Sequence, residues 1–267
     1  VKPEIAEKRA ADLNAVLLLY GYVDTRSNPP QLILNFWVAP QDKFKFEDIQ
    51  GSTQIGKPIR VVNLKDPGIS VQGELERQSI AVAFIAMGLA QEQLGQSQDA
   101  LAAFMKAEDS APESEMVQFF IGREYLFLAE LQPDQQEDYW EKAQDAFLKS
   151  VEINDQFPRA YLGLGSVYMK RSAELLDNAI ASGQKVDPLA IQLAEQTIEA
   201  YQKVMELKDD PGLLGNPVRD VARNAMGNAY RQKGAILFYQ GDLDSALKAF
   251  DEAIKLLETS RPIFEAA

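Results

Sequence analysis

Residues 81–114 read AVAFIAMGLAQEQLGQSQDALAAFMKAEDSAPES. Small residues stand at Gly88, Ala100 and Ala107, aromatic ones at Phe84 and Phe104, with Gly95 in the middle and Pro112 near the end. The spacing predicts two helices packed against each other. A small residue at 88 lets the first helix approach the second, and Ala100 and Ala107 do the same from the other side. Phe84 and Phe104 are expected to fill the gap between successive hairpins. Pro112 stops the second helix, since it lacks an N–H and clashes with the preceding turn. One hairpin of this kind cannot bury its apolar side alone, so several must stack.

The pattern returns three times. A second unit has Ile121-Gly122 and Tyr125, then Ala143, Phe147 and Ser150. The third has Tyr161, Leu164-Gly165 and Tyr168, then Thr197, Tyr201 and Val204. The fourth has Met226-Gly227 and Tyr230, then Gly241, Ala246, Phe250 and Ala253; Pro158 and Pro211 close units two and three. The later units carry more residues between their two halves than the first. Pro133–Asp138 and Ala181–Pro188 read as extended turns, while the Pro-free run Val221–Gln240 predicts a first helix lengthened by about two turns. The set resembles the tetratricopeptide repeat, a helix–turn–helix unit of 34 residues, with Gln91 in place of the family's tyrosine and Met87 in place of its leucine.

Ahead of the repeats the periodicity changes. Glu4–Asn14 predicts a helix; Ala15–Val23 and Leu32–Ala39, rich in β-branched and aromatic residues, predict strands. Asn28-Pro29-Pro30 marks the hairpin loop between them, and Ile59–Asn63 predicts a third strand beyond the polar stretch from Pro40 to Pro58. The two main strands are almost continuously apolar, as expected when both faces are covered. So small a region must then lean on the repeats, on preceding sequence or on a partner. The turn Asp66-Pro67-Gly68 separates it from a helical chain that starts at Glu74. The expected fold is therefore mostly α: an α–α superhelix of four irregular hairpins over 74–267, preceded by a small, truncated α/β region over 1–66.

Composition narrows the function. Apolar residues make up 46% of the 267, enough for a sizeable core. The apolar runs Ala15–Tyr20 and Ile80–Ala90 are too short or too interrupted to insert into a membrane. With no Cys and no His, disulfides, thiolate nucleophiles, Cys/His zinc sites and the commonest proton shuttle are all excluded, and no cofactor or metal is expected. Absence of cysteine fits a cytoplasmic location and equally permits export. The net charge of −13 arises wholly beyond Gly73, where the balance is −14 against +1 before it, so nucleic acid and anionic lipid are disfavoured as partners. The start at Val1 without an initiator Met points to an excised piece of a longer protein.

Motif-like fragments read more simply as structure. Gly163-Leu-Gly165 lacks the Lys-Ser/Thr of a phosphate loop and falls where the repeat needs small residues. Asp242-Leu-Asp244 lacks the Gly and Glu of a calcium loop and reads as a helix N-cap. The resemblance itself implies a groove lined by the first helix of each unit. It places Ile85, Leu89 and Glu92 from unit one in that groove, with Phe119 and Arg123 from unit two. Unit three contributes Arg159, Leu162, Ser166 and Met169, and unit four Asn224, Asn228 and Arg231. Asn side chains can hold a peptide backbone and Arg can fork onto a carboxylate. The function expected is a non-enzymatic scaffold whose groove binds a peptide or protein segment, with a homodimer through the apolar C-terminal helices also possible. Two alternatives stand beside it: the regulatory or sensory part of a larger signalling protein, and an enzyme built on a pair of carboxylates with opposed pKa shifts.

Overall fold

A computed structural model of the protein describes residues 3–13, 15, 17–38, 51–54, 58–61, 68–207 and 217–265. Helix α1 (Pro3–Asp12) precedes strands β1 (Leu17–Asp24), β2 (Gln31–Val38), β3 (Gly51–Gln54) and β4 (Ile59–Arg60). Helices α2 (Gly68–Gln93), α3 (Ser97–Ser110), α4 (Glu115–Leu131) and α5 (Gln136–Ile153) follow, then α6 (Pro158–Ser182), α7 (Pro188–Glu206), α8 (Pro217–Gln240) and α9 (Leu243–Glu265). The chain divides into two compact units, one holding α1 to α5 with the sheet and the other α6 to α9. Inside each, helical hairpins lie side by side, α3 against α4 in the first and α7 against α8 in the second. The fold is mostly α, of the repeat type expected, with a small sheet on its N-terminal side.

In that sheet β1 and β2 form the predicted antiparallel hairpin, Leu17 opposite Val38 and Asp24 opposite Gln31. Ala6 and Ala10 of α1 cover the face that carries Tyr20 and Trp37. The other face of β1 leaves Leu19 and Val23 exposed, while Leu34 of β2 on that same face is buried. Strand β3 pairs with Asn35–Val38 of β2; its polar sequence, GSTQ, carries no strand signal. Within the predicted strand Ile59–Asn63 the ladder takes in Ile59 and Arg60, opposite Leu32 and Gln31. β4 also touches α2, so the sheet rests on the first helix of the repeats. That helix begins at Gly68, six residues before the predicted start.

Each hairpin closes on a glycine facing a ring. A Cβ placed at Gly88, Gly122, Gly165 or Gly234 would lie 2.4, 2.8, 2.4 and 2.7 Å from the nearest ring carbon of Phe104, Phe147, Tyr201 and Phe250 respectively. Three of these pairs follow the expected register. In the fourth hairpin Gly234, not Gly227, meets the aromatic, and Gly227 instead lies against Leu256 and Leu257. Gly95 and Gly241 reverse the chain after α2 and α8 with φ of 72° and 88°, a conformation that only residues without a Cβ adopt freely.

The extra residues of the later units do not form long turns. Pro133–Gln135 is a single 3-10 turn, and the predicted loop Ala181–Pro188 shrinks to the residues between Ser182 and Pro188. The surplus is helix: α6 runs 17 residues past Gly165 (182 − 165), against 5 past Gly88 in α2 (93 − 88), and α7 has 19 residues against 14 in α3. These extensions are stable because they bury each other. Leu176 and Ala179 of α6 pack with Ala190 and Ala194 of α7 and Ile236 of α8, and Ser172 Oγ donates 2.8 Å to the Ala190 carbonyl.

One buried polar cluster ties α2 to α4. Arg123 Nη2 donates to both carboxylate oxygens of Glu92, and its guanidinium carbon lies 5.0 Å from the centre of the Phe120 ring. Glu124, itself buried, has its pKa pushed up from 4.5 to about 10, first by burial and then by the neighbouring Glu92 carboxylate. A neutral Glu124 leaves one anion and one cation in the cluster, the arrangement that a low-dielectric site tolerates.

Two outcomes follow. Gly88→Ala should lose roughly 1–3 kcal/mol by forcing the Phe104 ring aside. Gly73→Ala in the same helix, where a Cβ meets nothing within 4 Å, should gain about 0.5–1 kcal/mol; urea unfolding of both variants compares the signs. The folded pKa of Glu124 lies above the unfolded one, so its contribution to stability is full below 4.5 and is lost as pH rises towards about 10. Glu124→Gln mimics the protonated acid, so it should raise Tm at about pH 8 and leave it little changed near about pH 4. An equal shift at both values would show that Glu124 is not held neutral.

Candidate protein-interaction face

The expected groove residues separate into two sets. In the first unit they are packing residues: Ile85 and Leu89 of α2 and Phe119 of α4 are buried. Phe119 leans on the rings of Phe120 and Phe147, centroids 5.7 and 6.0 Å away. Glu92 and Arg123 are buried against each other, so Arg123 does not offer its fork to a ligand's carboxylate. The proximity of Glu92 and Glu124 is the paired-acid arrangement an enzyme would need. Both are buried, and Arg123 donates to Glu92.

The second unit differs. Arg159 and Leu162 are buried, but Ser166 and Met169 of α6 and Asn224 and Asn228 of α8 are half-buried, and Arg231 is exposed. These five residues sit on two helices in contact, joined where Gln232 Nε2 donates 3.2 Å to the Met169 carbonyl. Ser166 Oγ donates 2.9 Å to the Leu162 carbonyl and lies 3.4 Å from the Tyr201 hydroxyl. That phenol stays neutral, its pKa pushed up by burial to about 12. Asn228 Nδ2 donates 3.3 Å to the Asn224 carbonyl, which fixes the side chain along its own helix. Arg223 is occupied by Asp220 at 2.7 Å, whereas Arg231 has no ion pair among the described residues. The result is a polar face with one exposed guanidinium and one half-buried thioether.

The shifted register of the fourth hairpin adds a residue. With Gly234 at the packing position, the inward positions of this unit fall on Asn228, Arg231, Ala235 and Phe238. Phe238 is exposed on α8 and extends the face with an apolar contact. The equal sequence interval in Gly88–Phe104 and Gly234–Phe250 is the signal that would have found it.

Elsewhere the chemistry is structural. Gly165 accommodates the Tyr201 ring, and Asp242 Oδ1 accepts the Ser245 N–H at 3.1 Å as an N-cap. Among the described residues no group of acidic side chains could hold a metal ion, and no helix is long and apolar enough to cross a membrane. A cleft of about 360 Å³ between α7, α8 and α9 is lined by Tyr230, Lys233, Lys248, Glu195 and Glu252. Lys233 is engaged there by Glu195 at 2.8 Å.

Comparison with known proteins bears on the repeats. The tetratricopeptide repeat model matches residues 81–114 and again residues 227–260, the second match beginning at Gly227 as the Gly234 register requires. No curated protein matches the sequence. Among solved structures, a crystal structure of MamA shares 18% identity over 72% of this chain and 90% of its own, with a TM-score of 0.44. A human IFIT1 dimer with PPP-AAAA shares 17% over 72% of this chain and 52% of its own, with a TM-score of 0.33. The repeat assignment rests on these two matches rather than on the overlays. Tetratricopeptide repeats serve in general as protein–protein interaction scaffolds and are typically non-catalytic, binding proteins or peptides. With a glycine seated on an aromatic ring in each hairpin and the repeat model matching both the first and the fourth, this chain carries tetratricopeptide repeats.

Proposed function

We propose that the protein holds an extended segment of another polypeptide against the face shared by α6 and α8. The observation that carries this reading is the contrast between the units. The inward positions of α2 and α4 are sealed by Phe119 and the Glu92–Arg123 pair, while Ser166, Met169, Asn228 and Arg231 keep access to solvent. Asn228 and Asn224 present amides to the segment's backbone, Arg231 takes an acidic side chain or a terminal carboxylate, and Met169 and Phe238 receive an apolar residue. Self-association through the C-terminal helices is a second reading, supported by the exposed Leu243, Leu247 and Ile254 of α9.

Selection of a random displayed peptide library on the intact chain tests the first reading. Enriched peptides should carry an acidic residue beside an apolar one. Arg231→Glu should weaken the best of them tenfold or more, roughly 1.4 kcal/mol, and Phe238→Ala by a comparable factor. Peptides that bind both variants as tightly as the parent would rule this face out.

A further inference from the structure

Two apolar lanes lie open on two kinds of helix. On α2 and the first residue of the turn after it, Ile80, Met87 and Leu94 are 41%, 41% and 72% exposed, with exposed Ala83 and Ala90 between them. On α9, Leu243, Leu247 and Ile254 are 55%, 63% and 55% exposed. Each set recurs at helical spacing and so occupies one face.

The repeats themselves show what such lanes accommodate. Gly88 and Gly122 hold the same place, each under the ring of its hairpin's second helix. Aligning them sets Ile80, Ala83, Met87, Ala90 and Leu94 of α2 on Ser114, Val117, Ile121, Glu124 and Leu128, the last four lying on α4 and Ser114 capping it. All five equivalents are at most 5% exposed, because α3 packs over them and stacks Phe104 on Phe120 with centroids 4.9 Å apart. Aligning Phe250 with Phe104 sets Leu247 and Ile254 of α9 on Leu101 and Glu108 of α3. Those two are half-buried, and Glu108 accepts a 2.9 Å hydrogen bond from Gln118 of α4. So α9 presents the surface by which α3 covers α4, and α2 presents the surface on which such a helix is received.

We propose that copies of this chain associate head to tail, with the Leu243–Leu247–Ile254 lane of α9 in one copy covering the Ile80–Met87–Leu94 lane of α2 in the next. The inference rests on the self-association reading above and changes its geometry. A second copy is the fitting occupant because one chain carries both halves of a contact it already makes internally. Charge favours the unlike pairing. Asp244, Asp251 and Glu258 run beside the α9 lane, where Lys248 also lies exposed and Lys255 is held by Glu252. Two α9 faces would therefore oppose more acids than bases, whereas from Ile80 to Leu94 the α2 lane carries no charge, Glu76 standing one turn before it. A contact between unlike patches is heterologous, so it grows beyond a dimer until a ring closes or a filament forms.

Sedimentation velocity over a range of concentrations tests this with the parent chain, Met87→Lys, Leu247→Lys and an equimolar mixture of the two variants. The parent should form species larger than a dimer, and each variant alone should be monomeric. The mixture should recover a dimer and stop there, since each variant keeps one intact lane. A strictly monomeric parent, or a mixture that stays monomeric, overturns the proposal. So does self-association of Leu247→Lys, which would place α2 on α2. Self-association of Met87→Lys overturns it too, yet leaves the C-terminal dimer reading standing. Ile80→Lys and Ile254→Lys repeat the experiment at second positions, with circular dichroism checking that all variants fold.

Discussion

An aromatic ring laid on a helical glycine is the contact on which this protein depends. Four times the first helix of a hairpin gives up a side chain so that Phe104, Phe147, Tyr201 or Phe250 can lie against its backbone. A glycine inside a helix costs about 1 kcal/mol relative to alanine, and burying an aromatic ring returns about 1.5–3 kcal/mol. The exchange is favourable only where the ring reaches the glycine. Gly73, on the same helix as Gly88, has no neighbour of this kind.

This contact sets which residues face inward, and the two units then use that face differently. In the first, the inward positions of α2 and α4 carry large apolar groups and a compensated ion pair, so the face is closed by its own packing. In the second, Ser166 and Asn228 satisfy their donors on the carbonyls of their own helices. They stay ordered without drawing the neighbouring helix over them, and Met169 and Arg231 remain accessible to a ligand.

The polar cluster of the first unit belongs to the same logic. Arg123 has the chemistry to bind a carboxylate, and it does so with Glu92 of the same chain. The side chain is there to neutralise and anchor, with Phe119 and Phe120 beneath its guanidinium. Glu124 enters the core as an acid rather than an anion because burial beside Glu92 makes ionisation costly.

The sequence by itself determined the repeat, because the glycines, alanines and aromatics of residues 81–114 recur at intervals that only packed hairpins require. It also determined the β1–β2 hairpin, from the composition of its strands and the prolines between them. The tertiary structure alone decided the register of the fourth hairpin. Gly227 and Gly234 are seven residues apart, nearly two helical turns, so they share a face and local pattern cannot choose between them; the choice falls to whichever one the Phe250 ring reaches. Likewise, the surplus residues of unit three became helix instead of loop, since the extended faces of α6 and α7 found each other to bury. Whether an inward-facing residue binds a ligand or fills the core was undecided for the same reason: a position on a helix is local, but the neighbour that covers it comes from elsewhere in the chain.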